Sequence, residues 1–211
     1  MIVCIPFVNL PEAPYDYEAL AKSIQKLGTF LTHSLHIVSR SEDEQAAYEF
    51  GQTLADNFAR TTQGGLPEAP RNAYQLSNDL FRAAVRFIRD YRPKEGETEN
   101  LPLLYLDPGY RPQVRAWLDE IQAEYYLNGT PRITARGKTT ADGALAVEGP
   151  VLLNRGYYES SGLLNHIPEN ESWRNWLRWE HKNTAKETKL FGQGGASVLK
   201  PVPKERKEAG K

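Results

Sequence analysis

The sequence predicts an α/β fold: one domain in which a mixed, mostly parallel sheet is flanked by helices. Short apolar runs of strand length alternate with amphipathic, helix-length segments up to residue 131, as in parallel strands joined by crossover helices. The 211 residues are 40% hydrophobic and 25% charged, ordinary values for a globular domain with a full core. No apolar run approaches the roughly 18 residues of a membrane span.

The first strand is "IVCIPFV" (2–8), a β-branched apolar run. After the turn "LPEAP" comes a helix that Asp16 can cap and Gly28 can end. On it Tyr17, Leu20, Ala21, Ile24 and Leu27 share one face. "SLHIVSR" (34–40) is the second strand. Ser41 and Glu44 have the spacing of a capping box, which opens a helix reaching about Phe58. "TTQGGLPEAPRN" (61–72) reads as a loop by its Gly and Pro content. "NAYQLSNDLFRAAVRFIRDY" (72–91) is the third helix, with Leu76, Leu80, Ala84 and Phe87 at helical spacing. "LPLLYLD" (101–107) is the next buried strand. Pro112 can start a helix with Val114, Trp117, Leu118, Ile121 and Tyr125 inward, closed by Gly129 and Pro131. Beyond it, "RITARG" and "ALAVEGPVLLN" are strand-like and "ESWRNWLRWEHKN" is a tryptophan-rich helix. The domain is expected to span residues 1–191, with a flexible basic tail over 192–211.

The net charge of −1 hides an asymmetry. Residues 172–211 carry ten Lys or Arg against four Glu, or +6, on a body of −7. A basic segment on an acidic body can contact polyanions, nucleic acid included, although a solvated tail is the plainer reading of "KPVPKERKEAGK". One cysteine, Cys4, forbids an internal disulfide and fits a reducing, cytoplasmic setting. It lies in an apolar strand, where an inert core thiol is expected. "MIVCIPFVN" has no basic leader and reads as a first strand. There is no P-loop, no GxGxxG and no GxSxG elbow. His33, His36, His166 and His181 lack zinc spacing. These absences exclude most common nucleotide-binding and hydrolytic motifs.

Ligands of open α/β sheets bind beyond the carboxyl ends of the strands. Those ends here are Pro6, Phe7, Val8 and Asn9; Ser39 and Arg40; and Tyr105, Leu106 and Asp107, followed by the Pro108-Gly109 turn. Arg71 and Asn72 precede the third helix, where a phosphate contact and a helix N-terminus would favour a diphosphate. Asn72 is equally an ordinary helix cap, and Arg71 an ordinary solvated side chain.

The strand "LLYLDPG", followed by "RPQVRAWLDEIQAEYYLNGTPRI", resembles the middle of glycosyltransferases of the GT-A fold. More narrowly, it is similar to glycosyltransferase-like proteins encoded by bacteriophages. In those an apolar strand ends in Asp-x-Asp or Glu-x-Asp, with proline, tryptophan, Glu-Tyr and Gly-x-Pro after it. This chain has Asp107, Pro112, Trp117, Glu124-Tyr125 and Gly129-Thr130-Pro131 in that order. "PRN" (70–72) resembles the Pro-x-Asn loop of such proteins, and "AVEGPVLLNRGYY" (146–158) their acceptor-side strand. The resemblance covers residues 2 to 165. It implies a nucleotide-sugar donor, most often a UDP-sugar, and a cation such as Mn2+ or Mg2+ held by paired carboxylates. Gly109 stands where the second carboxylate belongs, which leaves Asp107 on the donor side and its metal role in question.

Transfer by inversion needs a carboxylate base at the acceptor hydroxyl. Glu148, beside Gly149 where a substrate could approach closely, is the first candidate, ahead of Asp142 and Glu180. Trp173, Trp176 and Trp179 recur at spacing of three, a stripe that suits a core and also a sugar platform. Trp173 and Arg174 are placed on the acceptor side, where arginine would suit a phosphate-bearing acceptor. The bacteriophage resemblance implies a hydroxymethylated DNA base as acceptor, flipped out to be reached. The rival expectation is a GT-A-fold binding or scaffold protein without catalysis.

Overall fold

A computed structural model of the chain describes residues 1–9, 15–66, 73–91, 101–136, 147–154, 167, 170–180 and 185–203. The elements in chain order are β1 (Ile2–Phe7), α1 (Tyr17–Leu27), β2 (Phe30–Ser39), α2 (Glu44–Thr53), β3 (Phe58–Gly65), α3 (Ala73–Asp90), β4 (Leu103–Tyr105), β5 (Tyr110–Pro112), α4 (Trp117–Leu127), β6 (Ile133–Arg136), β7 (Glu148–Leu153), α5 (Trp173–Glu180), β8 (Ala185–Glu187) and β9 (Leu199–Pro201). Among the described residues the main sheet has the order β3-β2-β1-β4-β7-β6-β8, and β5 pairs separately with β9. β1, β2, β3 and β4 run parallel. β7 is antiparallel to both of its neighbours, and β8 is parallel to β6.

Strand alternation decides which helix lies on which face. Val3, Ile5 and Phe7 of β1 pack with Leu20 and Ile24 of α1, Phe50 of α2, and Trp117 and Ile121 of α4. Ile2 and Cys4 face the other way, onto Leu80, Phe81 and Ala84 of α3 and Trp173 and Leu177 of α5. Cys4 is fully buried, and burial pushes its thiol far above its ordinary range, as for an inert core residue. The α1 termini form as their residues dictate. The Ala19 N–H donates to Asp16 Oδ1 at 2.8 Å, and Gly28 adopts φ +108°. No described helix is long and apolar enough to cross a membrane.

Four sequence expectations are corrected. Residues 58–65 form strand β3, where 61–72 reads as loop and the preceding helix reaches Phe58. The helix ends at Thr53 and the chain turns before pairing with β2. β3 is an edge strand, held by backbone bonds along one side, so it needs little apolar alternation. Ser41 makes no capping bond, because residues 41–43 form a 3-10 turn and α2 begins only at Glu44. Pro112 ends β5 instead of opening α4, which starts at Trp117. Residues 192–203 of the expected flexible tail include β9: Leu199 and Val198 are buried in the α1/α4 core, and the Val202 N–H donates to Gly109 O at 2.8 Å. Residues 204–211 of that tail lie outside the described residues.

Candidate functional site

The strand order sets where a ligand can sit. From β1 the chain crosses to β2 on one side, and later to β4 on the other. In an open α/β sheet such a reversal marks the usual ligand position, which here is beyond the carboxyl ends of β1 and β4. β7 runs antiparallel, so its first residues, Glu148 and Gly149, lie at the same edge. Asp107 stands in the middle of that edge.

Its carboxylate is fixed from two sides. Oδ1 accepts the Gly109 N–H at 2.8 Å, closing an Asx turn over Pro108. Oδ2 accepts from Arg174 Nη2 at 3.0 Å. Arg174 Nη1 also donates to Gly149 O, and its guanidinium lies 4.3 Å from the centre of the Trp173 ring. One arginine therefore ties β4, β7 and α5 together at the sheet edge. α3 sets its position. Asn78 Oδ1 accepts the Trp173 N–H at 2.8 Å, and Ser77 Oγ accepts the indole N–H at 3.1 Å.

Two glycines permit this packing. A Cβ on Gly109 would stand 3.1 Å from Asp107 Oδ1, so a side chain there would crowd the carboxylate. A Cβ on Gly149, at φ +69°, would stand 2.4 Å from the Tyr110 ring. The close approach expected at Gly149 is thus made by Tyr110, not by empty space for a substrate.

The β1 end contributes backbone more than side chains. Phe7 is buried against Tyr17 at 4.3 Å between ring centres. The Tyr17 hydroxyl donates to Pro6 O at 2.9 Å and accepts the Val8 N–H at 3.0 Å. Burial, above all, raises its ionisation beyond the usual phenol range. The exposed Asn9 donates its N–H to Asp43 Oδ2 at 3.2 Å. Asp43 also takes both arms of Arg40, at 2.7 and 3.0 Å, and this pairing raises the arginine's affinity for its proton. Ser39 is fully buried, its Oγ without a hydrogen-bond partner among the described residues.

Several expected site residues are core residues. Tyr105 is buried edge-on against Phe81 and Trp173. Leu106 is buried, its N–H on Cys4 O at 2.8 Å. Trp173 is 1% exposed, with one face stacked on Phe81 at 4.1 Å and Arg174 over its ring, so no open face remains for an acceptor. Glu148 is exposed at the start of β7, in register with Arg136. Arg71, Asn72 and Asp142 lie outside the described residues, as do the side chains of Trp179 and Glu180.

Sequence reasoning missed Asp43, Tyr15 and Arg111. Asp43 follows Arg40 by three residues, a spacing that could have marked the pair. Tyr15 is half-buried; its ionisation is raised by burial first and then by Asp107, with Arg174 opposing. Arg111 grips Pro108 O at 2.6 Å, Tyr110 O at 3.1 Å and Asp16 O at 2.7 Å, pinning the turn to the start of α1. No motif announces that role.

Among the described residues no three His, Cys, Asp or Glu side chains come together. With both Asp107 oxygens engaged, these residues do not fit a divalent cation held by protein carboxylates.

No protein-family model matches the sequence, and comparison with curated proteins finds no match. Similarity emerges between folds. Mouse xyloside xylosyltransferase 1 superposes with a TM-score of 0.56 at 14% identity, over 96% of this chain and 99% of that one. The Streptococcus pneumoniae glycosyltransferase GlyE gives 0.57 at 12% identity, over 90% of this chain, which spans only 45% of GlyE. A CMP:2-keto-3-deoxy-manno-octonic acid synthetase solved with CTP gives 0.51 at 8% identity, over 89% of each chain. The chain has a GT-A-like, Rossmann-like fold whose structural neighbours include glycosyltransferases.

Proposed function

We propose that the protein is a glycosyltransferase that moves a sugar from a nucleotide-sugar donor, a UDP-sugar first among them, to an acceptor hydroxyl. The observation that carries this reading is Asp107, fixed at the carboxyl end of β4 beside β1 in a GT-A-like fold. Fold neighbours that act as glycosyltransferases, and one solved with a nucleotide, support it.

In this reading the donor lies across the ends of β1 and β4, along the Pro6-Phe7-Val8-Asn9 backbone, with Ser39 and Arg40 beside it. The acceptor oxygen attacks the anomeric carbon. The bond from that carbon to the phosphate oxygen breaks, and its electron pair leaves with the nucleoside diphosphate. Glu148, exposed at the same edge, takes the acceptor proton. Asp107 holds the donor side of the site in register. The acceptor class we carry forward is a hydroxymethylated base in DNA, supported by the +6 charge of residues 172–211 and by the bacteriophage resemblance.

The test is thermal unfolding against a panel of nucleotide sugars and free nucleotides, followed by transfer to hydroxymethylated and unmodified DNA. A ligand at 100 times its Kd stabilises by about 2.7 kcal/mol, several degrees of Tm for a chain of this size. A shift with one donor, and transfer lost in Asp107→Asn, is the expected result. No shift with any of them would leave a binding or scaffold protein. Undiminished transfer by Asp107→Asn would remove Asp107 from the site.

A further inference from the structure

We infer that Arg174 is the positive group that receives the donor's diphosphate, in place of a divalent cation, and that Asp107 is its positioning residue. This deepens the glycosyltransferase reading and rests on it. The starting point is the pair at the end of β4, where Asp107 Oδ2 is bound to the Arg174 guanidinium.

The turn is built for a single acid. Gly109 supplies an N–H to Asp107 Oδ1, and a Cβ at that position would stand 3.1 Å from the same oxygen. A second carboxylate two residues after Asp107 would crowd the first. The remaining oxygen, Oδ2, is taken by Arg174 Nη2. A cation entering between Asp107 and a ligand would have to break that ion pair and, among the described residues, would gain one protein carboxylate.

Arg174 has what an anion site requires. Its planar fork matches phosphate oxygens. It is held on three sides, by the Trp173 ring, Gly149 O and Asp107. Little entropy is therefore lost when a ligand docks. Its side chain is 23% exposed, so it is not sealed in the core. Of the five N–H donors of a guanidinium, two bind protein here. The other three make no bond among the described residues. The backbone N–H groups of Trp173 and Arg174 are occupied by Asn78 and Ser172, so the side chain, not the α5 terminus, is the site.

The pairing makes an unusual prediction of sign. Asp107 aims the guanidinium but offsets its charge. If Asp107 held a cation, Asp107→Asn would weaken diphosphate binding. If Asp107 restrains Arg174, the same change removes a negative charge beside the diphosphate and tightens metal-free binding, while transfer falls because the arginine is less well aimed.

The experiment is titration calorimetry of the full chain with UDP, CDP, ADP, GDP and inorganic pyrophosphate, each in EDTA and in Mn2+. It is run on the wild type, Arg174→Gln, Arg174→Lys and Asp107→Asn, with melting curves confirming that each variant folds. The expected result is a nucleoside diphosphate bound equally well in EDTA and in Mn2+. Arg174→Gln should weaken it by about 10- to 100-fold, the loss of a charged hydrogen bond. Arg174→Lys should recover part of that loss, and Asp107→Asn should tighten binding in EDTA. Binding that requires Mn2+, is lost in Asp107→Asn and ignores Arg174→Gln would overturn the role of Arg174 and leave the glycosyltransferase reading standing. Failure of every nucleotide and of pyrophosphate to bind folded wild type would overturn that reading itself.

Discussion

Gly149→Ala and Gly129→Ala form a matched pair that isolates how Tyr110 is packed under the sheet edge. Both glycines are left-handed, at φ +69° and +74°. They differ in the space a side chain would meet. A Cβ on Gly129 meets nothing within 4 Å, whereas one on Gly149 falls 2.4 Å from Tyr110 Cζ and Oη. Backbone strain alone costs about 1–2 kcal/mol for a non-glycine in this conformation, so Gly129→Ala should lose that much. At Gly149 the overlap exceeds 1 Å of normal contact distance. Tyr110 is only 8% exposed and sits in the α1/α4 core, so its ring cannot swing out. Overpacking of this kind adds about 1–3 kcal/mol, for a total near 2–5 kcal/mol. Urea unfolding at constant m measures both variants. Gly149 O also anchors Arg174, so the Gly149 variant should lose nucleotide affinity and the Gly129 variant should not. Equal destabilisation of the two would refute the packing argument.

Three further outcomes follow from the same contacts. Burial lowers the pKa of His36 from 6.5 to about 3 and also depresses that of His33; below 6.5 the unfolded chain therefore binds protons that the folded one refuses. The stability contributed by neutral His36 is complete above pH 6.5 and is lost as pH falls toward 3, by up to about 1.4 kcal/mol per pH unit, and His33 acts in the same direction. Urea unfolding at pH 7 and 5 should show a smaller loss in His36→Gln than in wild type; an equal loss would mean that His36 is not the buried neutral group described. Leu199→Ala should cost about 2–5 kcal/mol because the side chain is fully buried, and a cost near zero in thermal unfolding would return residues 192–203 to the status of a loose tail. Glu148→Gln should lower the transfer rate by about 100-fold or more with donor affinity unchanged; an unchanged rate would pass the base role to another group.

What the sequence disclosed follows from what apolar periodicity can report. β1, α1, α3 and β4 bury their residues against neighbours of their own, so run length, caps and helical spacing marked them. β3 was invisible because Arg60, Thr61, Thr62 and Gln63 belong to an edge whose partner, β2, supplies the hydrogen bonds. Nothing in a single strand's composition records who lies beside it. Leu54 and Phe58 have i, i+4 spacing and so prolong a helical pattern past Thr53, although each is buried from a different local structure. β9 was hidden by the glycines before it and the basic residues after it. Its burial depends on β5, nearly ninety residues earlier, a pairing that no local signal carries.

The site follows the same logic one level up. Asp107 was legible because a strand, an acid and a turn are contiguous. Arg174 comes from α5 and meets Asp107 and Gly149 only once α5 has packed against the sheet, and Gly149 meets Tyr110 only once β7 has paired. The resemblance marks Gly109 as the place of a second carboxylate, and the contacts give the glycine a role of its own. Gly109 donates its N–H to Asp107 and leaves room for it, and β9 secures the same residue through Val202. A turn braced by β9, Arg111 and Arg174 is one whose single carboxylate is meant to stay put. Restoring an acid at position 109 should therefore loosen the turn before it creates a cation site, and Gly109→Asp should melt below wild type in EDTA and Mn2+ alike. A variant that melts higher with Mn2+ than in EDTA would show that the edge still accepts a paired-carboxylate cation, and that Arg174 is its substitute only for want of the second acid.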